Sequence, residues 1–284
     1  MKRVLLFWSS GKDSAWALHL LRRTPGAEVV ALLTAFNNSA NRVAMHAVRR
    51  SLVEAQAERV GLPLWSVDLP SPCSNVAYEG CMAAVWNRAA AERIDEVAFG
   101  DLFLQDIRSY REQQLRSTRL RPLFPVWHLP TAALARDMIE AGFRAKITCV
   151  DLRKLDPGFA GREFDLAFLE SLPPLTDPCG ENGEFHTFVY EAPFFSRPIS
   201  VSMGQKLERD GFTFADVLPA ETRQRSESKP PWGLCSNCIN AKTVASDRGS
   251  VFVRCMLSDH NPAFPRYPRL PVLTCSGWSI APLS

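Results

Sequence analysis

Ser9-Ser10-Gly11-Lys12-Asp13-Ser14 joins an apolar run, Val4–Trp8, to a stretch carrying Ala15, Leu18 and Leu21 at helical spacing. A small-residue loop with one lysine at a strand–helix junction constrains the fold more than any other segment. Its backbone N–H groups can close on an anion, and the helix start adds the positive end of a dipole. Lys12 supplies a point charge, and Ser14 a hydroxyl that can cap or donate. A Walker A loop needs glycine five positions before Gly11, where Leu6 stands, and Ser or Thr after Lys12, where Asp13 stands. The readings left are a different phosphate loop or a capped helix start that binds nothing.

The following segments alternate. Val29–Phe36 reads as a buried strand, Arg42–Val60 as a helix stopped by Gly61, and Leu64–Leu69 as a strand. Asn75–Arg93 reads as a helix and Glu96–Phe99 as a strand ending at Gly100-Asp101. A βαβαβαβ order predicts a parallel sheet with helices on both faces and a ligand crevice beyond the strands' carboxyl ends. The loop at 9–14, Thr34–Asn38, Leu69–Cys73 and Gly100-Asp101 are expected to line it. Past Pro122 and Pro125, a helix (Thr131–Ala141), a strand (Lys146–Asp151), a helix (Glu163–Leu172) and a strand (Phe185–Tyr190) predict a smaller mixed α+β domain. The expected boundaries are 1–125, 126–220, a polar linker at 221–231 ending in two prolines, and a tail at 232–284.

Two further segments carry chemistry. If residues 106–114 are helical, Asp106 and Tyr110 share one face at i,i+4, and Arg108 and Arg111 pair at i,i+3. The alternative is a solvated helix face. In Gly180-Glu181-Asn182-Gly183-Glu184-Phe185-His186-Thr187, a turn at Gly183 is followed by Glu184 and His186 on one side of a strand. A carboxylate beside an imidazole can hold Mg²⁺, bind ammonium or accept its proton.

The loop resembles the PP-loop, SGGxDS, of N-type ATP pyrophosphatases, with Ser10 in place of the first glycine. Gly100-Asp101-Leu102-Phe103-Leu104-Gln105-Asp106-Ile107-Arg108-Ser109-Tyr110-Arg111 resembles the motif after the fourth strand in diphthine–ammonia ligases, and residues 180–187 are similar to their GExGEFHT signature. The resemblance covers roughly residues 1–200. It implies an adenine nucleotide alpha hydrolase-like sheet and an ATP-dependent amide ligase. ATP would lie on Ser9, Ser10, Gly11, Lys12, Asp13 and Ser14, with Thr34, Ala35 and Phe36 near adenine and Gly100 and Asp101 opposite. Asp106, Arg108, Tyr110, Arg111, Glu181, Glu184, His186 and Thr187 would serve the reaction, with the second domain as a lid. In that chemistry a carboxylate displaces pyrophosphate from ATP, helped by Mg²⁺, and ammonia then displaces AMP. A tRNA thiolase and a non-catalytic nucleotide-binding regulator are the alternatives, the first opposed by a nucleotide domain without CxxC.

Cys235-x2-Cys238-x16-Cys255-x19-Cys275 lies outside this resemblance and looks like a cysteine-bearing module of some bacterial relatives. Its first pair has metal-knuckle spacing, which predicts a structural four-thiolate Zn²⁺ site, with an iron–sulfur cluster or unconnected buried thiols as alternatives. The chain's net charge is +3, and residues 229–284 carry +4 of it, so the remaining 228 residues sum to −1. A near-neutral body argues against nucleic acid. The longest apolar run, Val29 to Phe36 with Thr34 interrupting, is far short of the roughly 18–20 residues of a membrane span. The N-terminus reads as cytosolic, the expected partners are ATP, ammonia and an unidentified carboxylate, and a homodimer stays open.

Overall fold

A computed structural model describes residues 1–43, 47–220, 232–245 and 251–280. The chain forms two compact units, Met1–Ala220 and Glu221–Ser284. The expected linker at 221–231 lies outside the described residues.

In the first unit β1 (Lys2–Phe7), β2 (Ala27–Asn37), β3 (Arg42–Val43), β4 (Leu64–Leu69), β5 (Glu96–Ala98) and β6 (Arg121–Leu123) form one sheet. Its parallel strands run in the order β4-β2-β1-β5-β6. Helices α1 (Lys12–Leu21), α2 (Arg50–Val60), α3 (Asn75–Ala91) and α4 (Gln105–Leu115) make the connections. Alternation along the strands divides the core between two faces. Val4, Leu6 and Leu32 pack with Leu18 of α1 and Leu52 of α2, whereas Leu5 and Leu33 pack with Met82 and Trp86 of α3. Strands buried on both sides need the near-continuous apolar runs seen in β1 and β2. Because the chain turns one way from β1 to β2 and later returns to its other side at β5, the strand order reverses at β1. Ligand crevices form at such a reversal.

The helix expected over 42–60 starts only at Arg50. Residues 42–43 instead pair antiparallel with Phe36 and Asn37. Arg42 and Arg49 both donate to the Asp216 carboxylate, which holds this segment against the later strands. β4 occupies one edge of β2 and β1 the other, so β3 continues the β1 edge just past the end of β1.

After α5 (Thr131–Glu140) come β7 (Arg144–Asp151), α6 (Leu166–Ser171), β8 (Phe185–Glu191), β9 (Val201–Arg209) and β10 (Phe212–Pro219). The four strands form an antiparallel sheet in the order β8-β7-β10-β9. The expected helix at 163–172 begins three residues late. Arg162 and Phe164 hydrogen-bond to β7 through their backbones, and the Asp165 side chain caps the shortened helix by accepting from the Phe168 N–H at 2.7 Å.

The second unit carries a two-stranded antiparallel sheet, β11 (Ala241–Ala245) and β12 (Val251–Cys255). Among the described residues, no helix is long and apolar enough to cross a membrane.

Candidate active site

A cavity of 440 Å³ opens beyond the carboxyl ends of β1 and β5. Ser9, Lys12, Asp13 and Ser14 line it after β1, and Gly100 and Asp101 line it after β5. The close approach of these two loops requires glycine at 100, since a Cβ there would stand 2.8 Å from the Ser14 backbone nitrogen. Glu181, from the turn that precedes β8, and His186 and Thr187, from β8 itself, also line it.

Ser10 has φ +71, in the left-handed region that favours glycine. It is fully buried, does not line the cavity, and its Oγ makes no hydrogen bond. The loop keeps this shape because both of its ends are tied to β8. The Val189 N–H donates to the Ser10 carbonyl at 3.0 Å, and the Lys12 N–H to Thr187 Oγ1 at 3.1 Å. Gln56 of α2, fully buried, completes the tie. It accepts from Trp8 Nε1 at 2.7 Å and donates to the carbonyls of Ser10 (3.0 Å) and Val189 (2.6 Å). Sequence reasoning missed Gln56, although a polar residue at i+4 from Leu52 and i−4 from Val60, on an otherwise apolar helix face, is a readable signal.

Lys12 is almost wholly enclosed. Its Nζ donates to both Asp13 oxygens at 2.9 Å and to the Cys179 carbonyl, beneath the rings of Phe164 and Phe185. Burial opposes the ammonium charge, but Asp13 and the other negative groups around it outweigh burial and raise the Lys12 pKa. Lys12 is therefore a fixed cation in the cavity wall.

Glu181 presents the opposite case. Burial, and then the neighbouring Asp13, push its pKa up to about 7. Its Oε1 accepts from the Leu102 N–H at 2.7 Å, so this carboxylate also clips the post-β5 loop to the 180–187 segment. His186 is held neutral: burial, then Lys12, push its pKa down to about 4. Asp101 is raised by burial against the pull of Arg111, whose Nε lies 3.6 Å from Asp101 Oδ2 and whose guanidinium lies 5.0 Å from the rings of Phe7 and Phe99.

Several expected residues lie elsewhere. Glu184 does not join His186. It is buried behind the turn, where its Oε1 accepts from the Asp177 N–H (3.2 Å) and Asn182 Nδ2 (3.1 Å), so it braces the turn while Glu181 faces the cavity. Of the adenine-side trio only Ala35 lines the cavity. Thr34 is buried and donates to the Trp8 carbonyl at 2.7 Å, and Phe36 is buried beneath Arg50. Of the four α4 residues expected there, Arg111 alone lines the cavity, and Ile107 lines it as well. Asp106 is exposed, Arg108 pairs with Glu112 at 2.8 Å and packs on Phe124 and Trp127, and the exposed Tyr110 accepts from Gln114. The two helix faces anticipated there do not converge.

In the second unit Cys235, Cys238, Cys255 and Cys275 border one cavity of only 20 Å³. Burial, and then the three neighbouring thiols, raise the Cys235 pKa. Cys275 is exposed. Among the described residues no group of three or more His, Cys, Asp or Glu side chains is placed to hold a metal ion, so the zinc or iron–sulfur expectation finds no support there.

Two family models match the chain, the diphthamide synthase N-terminal domain over residues 1–122 and the diphthamide synthase C-terminal domain over residues 130–217. The chain is similar to the diphthine–ammonia ligase of Danio rerio, 27% identical over 237 residues, covering 76% of this chain and 92% of that protein. It is also similar to those of Homo sapiens, 25% identical over 238 residues, and Mus musculus, 23% over 240; each match covers 76% of this chain and 88% of the relative.

Proposed function

Because the chain belongs to the diphthamide synthase family and is an ATP-dependent ligase forming a carbon–nitrogen bond, we propose that it activates a carboxylate as an acyl adenylate and transfers it to ammonia, releasing AMP and pyrophosphate. A carboxylate does not react usefully with ammonia, because its oxygen is a poor leaving group. Attack of the carboxylate oxygen on the α-phosphorus of ATP breaks the bond to the β-phosphate bridge and expels pyrophosphate. Ammonia then attacks the acyl carbon, AMP leaves with the bonding pair, and one proton is lost from nitrogen.

The observation that carries this reading is the convergence of the loop at 9–14 and the segment at 180–187 on one cavity, with Lys12 joined to Thr187 and Glu181 joined to the post-β5 loop. Lys12, already cationic, is suited to phosphate oxygens, and Ser9 and Ser14 to further hydrogen bonds. Glu181, poised near neutrality, is suited to bind ammonium and take its proton. A neutral His186 can hydrogen-bond at the reacting centre without adding charge. The enclosing residues of β8 limit access of water, which would hydrolyse an adenylate.

Mg²⁺ belongs with ATP in such chemistry, and the residues fit it. Asp101 Oδ2 is buried without a hydrogen bond, Asp13 lies in the same cavity, and two carboxylates plus phosphate oxygens are a donor set that Mg²⁺ accepts. Asp13 and Asp101 would hold the ion, whose chemistry there is to offset the charge of the departing pyrophosphate. ATP labelled at the γ-phosphate tests the proposal. Labelled pyrophosphate with AMP is expected, and labelled free phosphate with ADP would refute it.

A further inference from the structure

Beside the proposed ATP cavity lies a second one of 260 Å³. Val43 of β3 and His186 of β8 line both, so the two spaces share a wall. Apolar and aromatic groups, Ala40, Ala47, Phe212 and Phe214 among them, form much of the second lining. Arg42 and Arg209 bring charge to it.

The charge does not cancel. Arg42 donates to Asp216 Oδ1 at 2.9 Å, and Arg49 donates to the same carboxylate through Nε and a terminal nitrogen at 3.0 and 2.5 Å. Two guanidiniums share one carboxylate, so this cluster, of which Arg42 lines the cavity, keeps one positive charge among the described residues. Arg209 is paired with Asp210 at 3.3 Å and adds no net charge. The aromatic rings are also engaged: Arg209 lies 5.6 Å from the Phe214 centroid and Arg153 lies 5.9 Å from that of Phe212. Ring faces that already meet guanidinium groups offer little to another cation.

Resting on the amide-ligase reading, the geometry points to this second cavity as the acceptor pocket, and to a carboxylate on an apolar or aromatic body, without fixed positive charge of its own, as the substrate class. An arginine-bearing wall takes the carboxylate and apolar side chains take the body. The shared wall at His186 keeps such a carboxylate next to the space proposed for ATP. A body carrying a quaternary ammonium would meet the uncompensated charge of the Arg42–Arg49–Asp216 cluster.

The test uses the full chain and two probes, 4-phenylbutyrate and 4-trimethylammoniobutyrate, with binding followed by ligand-observed NMR and α,β-methylene-ATP present to occupy the crevice. 4-Phenylbutyrate is expected to bind at least tenfold more tightly than the cationic probe. Ala40→Trp, a substitution at an exposed lining residue, should weaken it at least tenfold with unchanged affinity for the nucleotide analogue. Arg42→Met should weaken it similarly, and Arg42→Lys less. Equal binding of the two probes, no binding of 4-phenylbutyrate, or indifference to Ala40→Trp overturns the assignment. If binding follows expectation but no carboxylate from a wider panel elicits AMP from ATP, the carboxylate pocket stands and the ligase reading of the site fails.

Discussion

Glu181→Gln should make the protein more stable and less active, and the stability effect should depend on pH. A glutamate that ionises near 4.5 when unfolded is held at about 7 in the fold, first by burial and then by Asp13. The folded state therefore binds this proton more tightly than the unfolded chain does. The resulting stabilisation is complete below pH 4.5 and is lost as pH rises through 7. Between pH 5 and pH 8 the linkage amounts to about 2.5 kcal/mol, and solvent screening of a half-buried group reduces it to about 2 kcal/mol. Glutamine keeps an oxygen to accept from the Leu102 N–H and cannot ionise. The stability difference between Glu181→Gln and the wild type should thus grow by about 2 kcal/mol in the variant's favour from pH 5 to pH 8. Urea unfolding followed by tryptophan fluorescence measures this directly, because Trp8, Trp16, Trp65 and Trp86 are buried in the first unit. A difference of the same size at both pH values would refute the reasoning, since packing alone carries no such pH dependence. In the same variant, ammonia-dependent AMP formation should fall by about 10²-fold or more if Glu181 is the proton acceptor proposed above.

Ser10→Gly should stabilise the protein by about 1 kcal/mol, from relief of the left-handed backbone and removal of an unpaired buried hydroxyl, less the greater chain entropy of glycine; Ser10→Ala should gain less, and thermal unfolding of the two variants compares them. Lys12→Ala should weaken ATP binding or turnover at least about tenfold, the loss of one charge-assisted phosphate contact; isothermal titration with α,β-methylene-ATP reads this, and unchanged affinity with unchanged turnover removes the loop from the site. Gln56→Leu should destabilise by about 3 kcal/mol, because Trp8 Nε1 and two carbonyls lose their partner in a dry interior; a melting temperature within 1 °C of wild type, read against the several degrees that about 3 kcal/mol is worth in a domain of this size, would show that water replaces the amide.

The parallel sheet was legible because the inner parts of β1 and β2 are buried on both faces and are almost wholly apolar. The segment Val201–Arg209 was not read as a strand. Most of its side chains are exposed, and it is held by pairing with β10, a long-range partner with no local signature. The start of the helix expected from Arg42 misled for a related reason: the apolar spacing was compatible with a helix, while Arg42 and Arg49 are each drawn to Asp216, more than 160 residues away in sequence. In the site, strand-end position was sufficient to bring Lys12, Asp13 and Asp101 to one cavity, and the resemblance of residues 180–187 added Glu181. The withdrawal of Glu184 from the cavity was hidden, because it depends on a turn geometry in which Asp177 accepts from the N–H groups of Cys179 and Glu181. Arg108 and Arg111 are three residues apart, yet one packs on Phe124 and Trp127 and the other on Phe7 and Phe99.

The ties between the loop at 9–14 and β8 bear on how the protein is made. A ribosome releases residue 14 long before it adds Thr187 and Val189, whose groups hold Lys12 and Ser10 in place. The growing chain can assemble most of its parallel sheet in that interval, but its loop lacks the partners that shape it until Thr187 and Val189 have been added. A truncated or stalled product should then be a folded sheet without a finished nucleotide site, unable to draw on ATP. On the proposed reading, the chain should acquire its capacity to consume nucleotide only once the residues of β8 that line the cavity have been added.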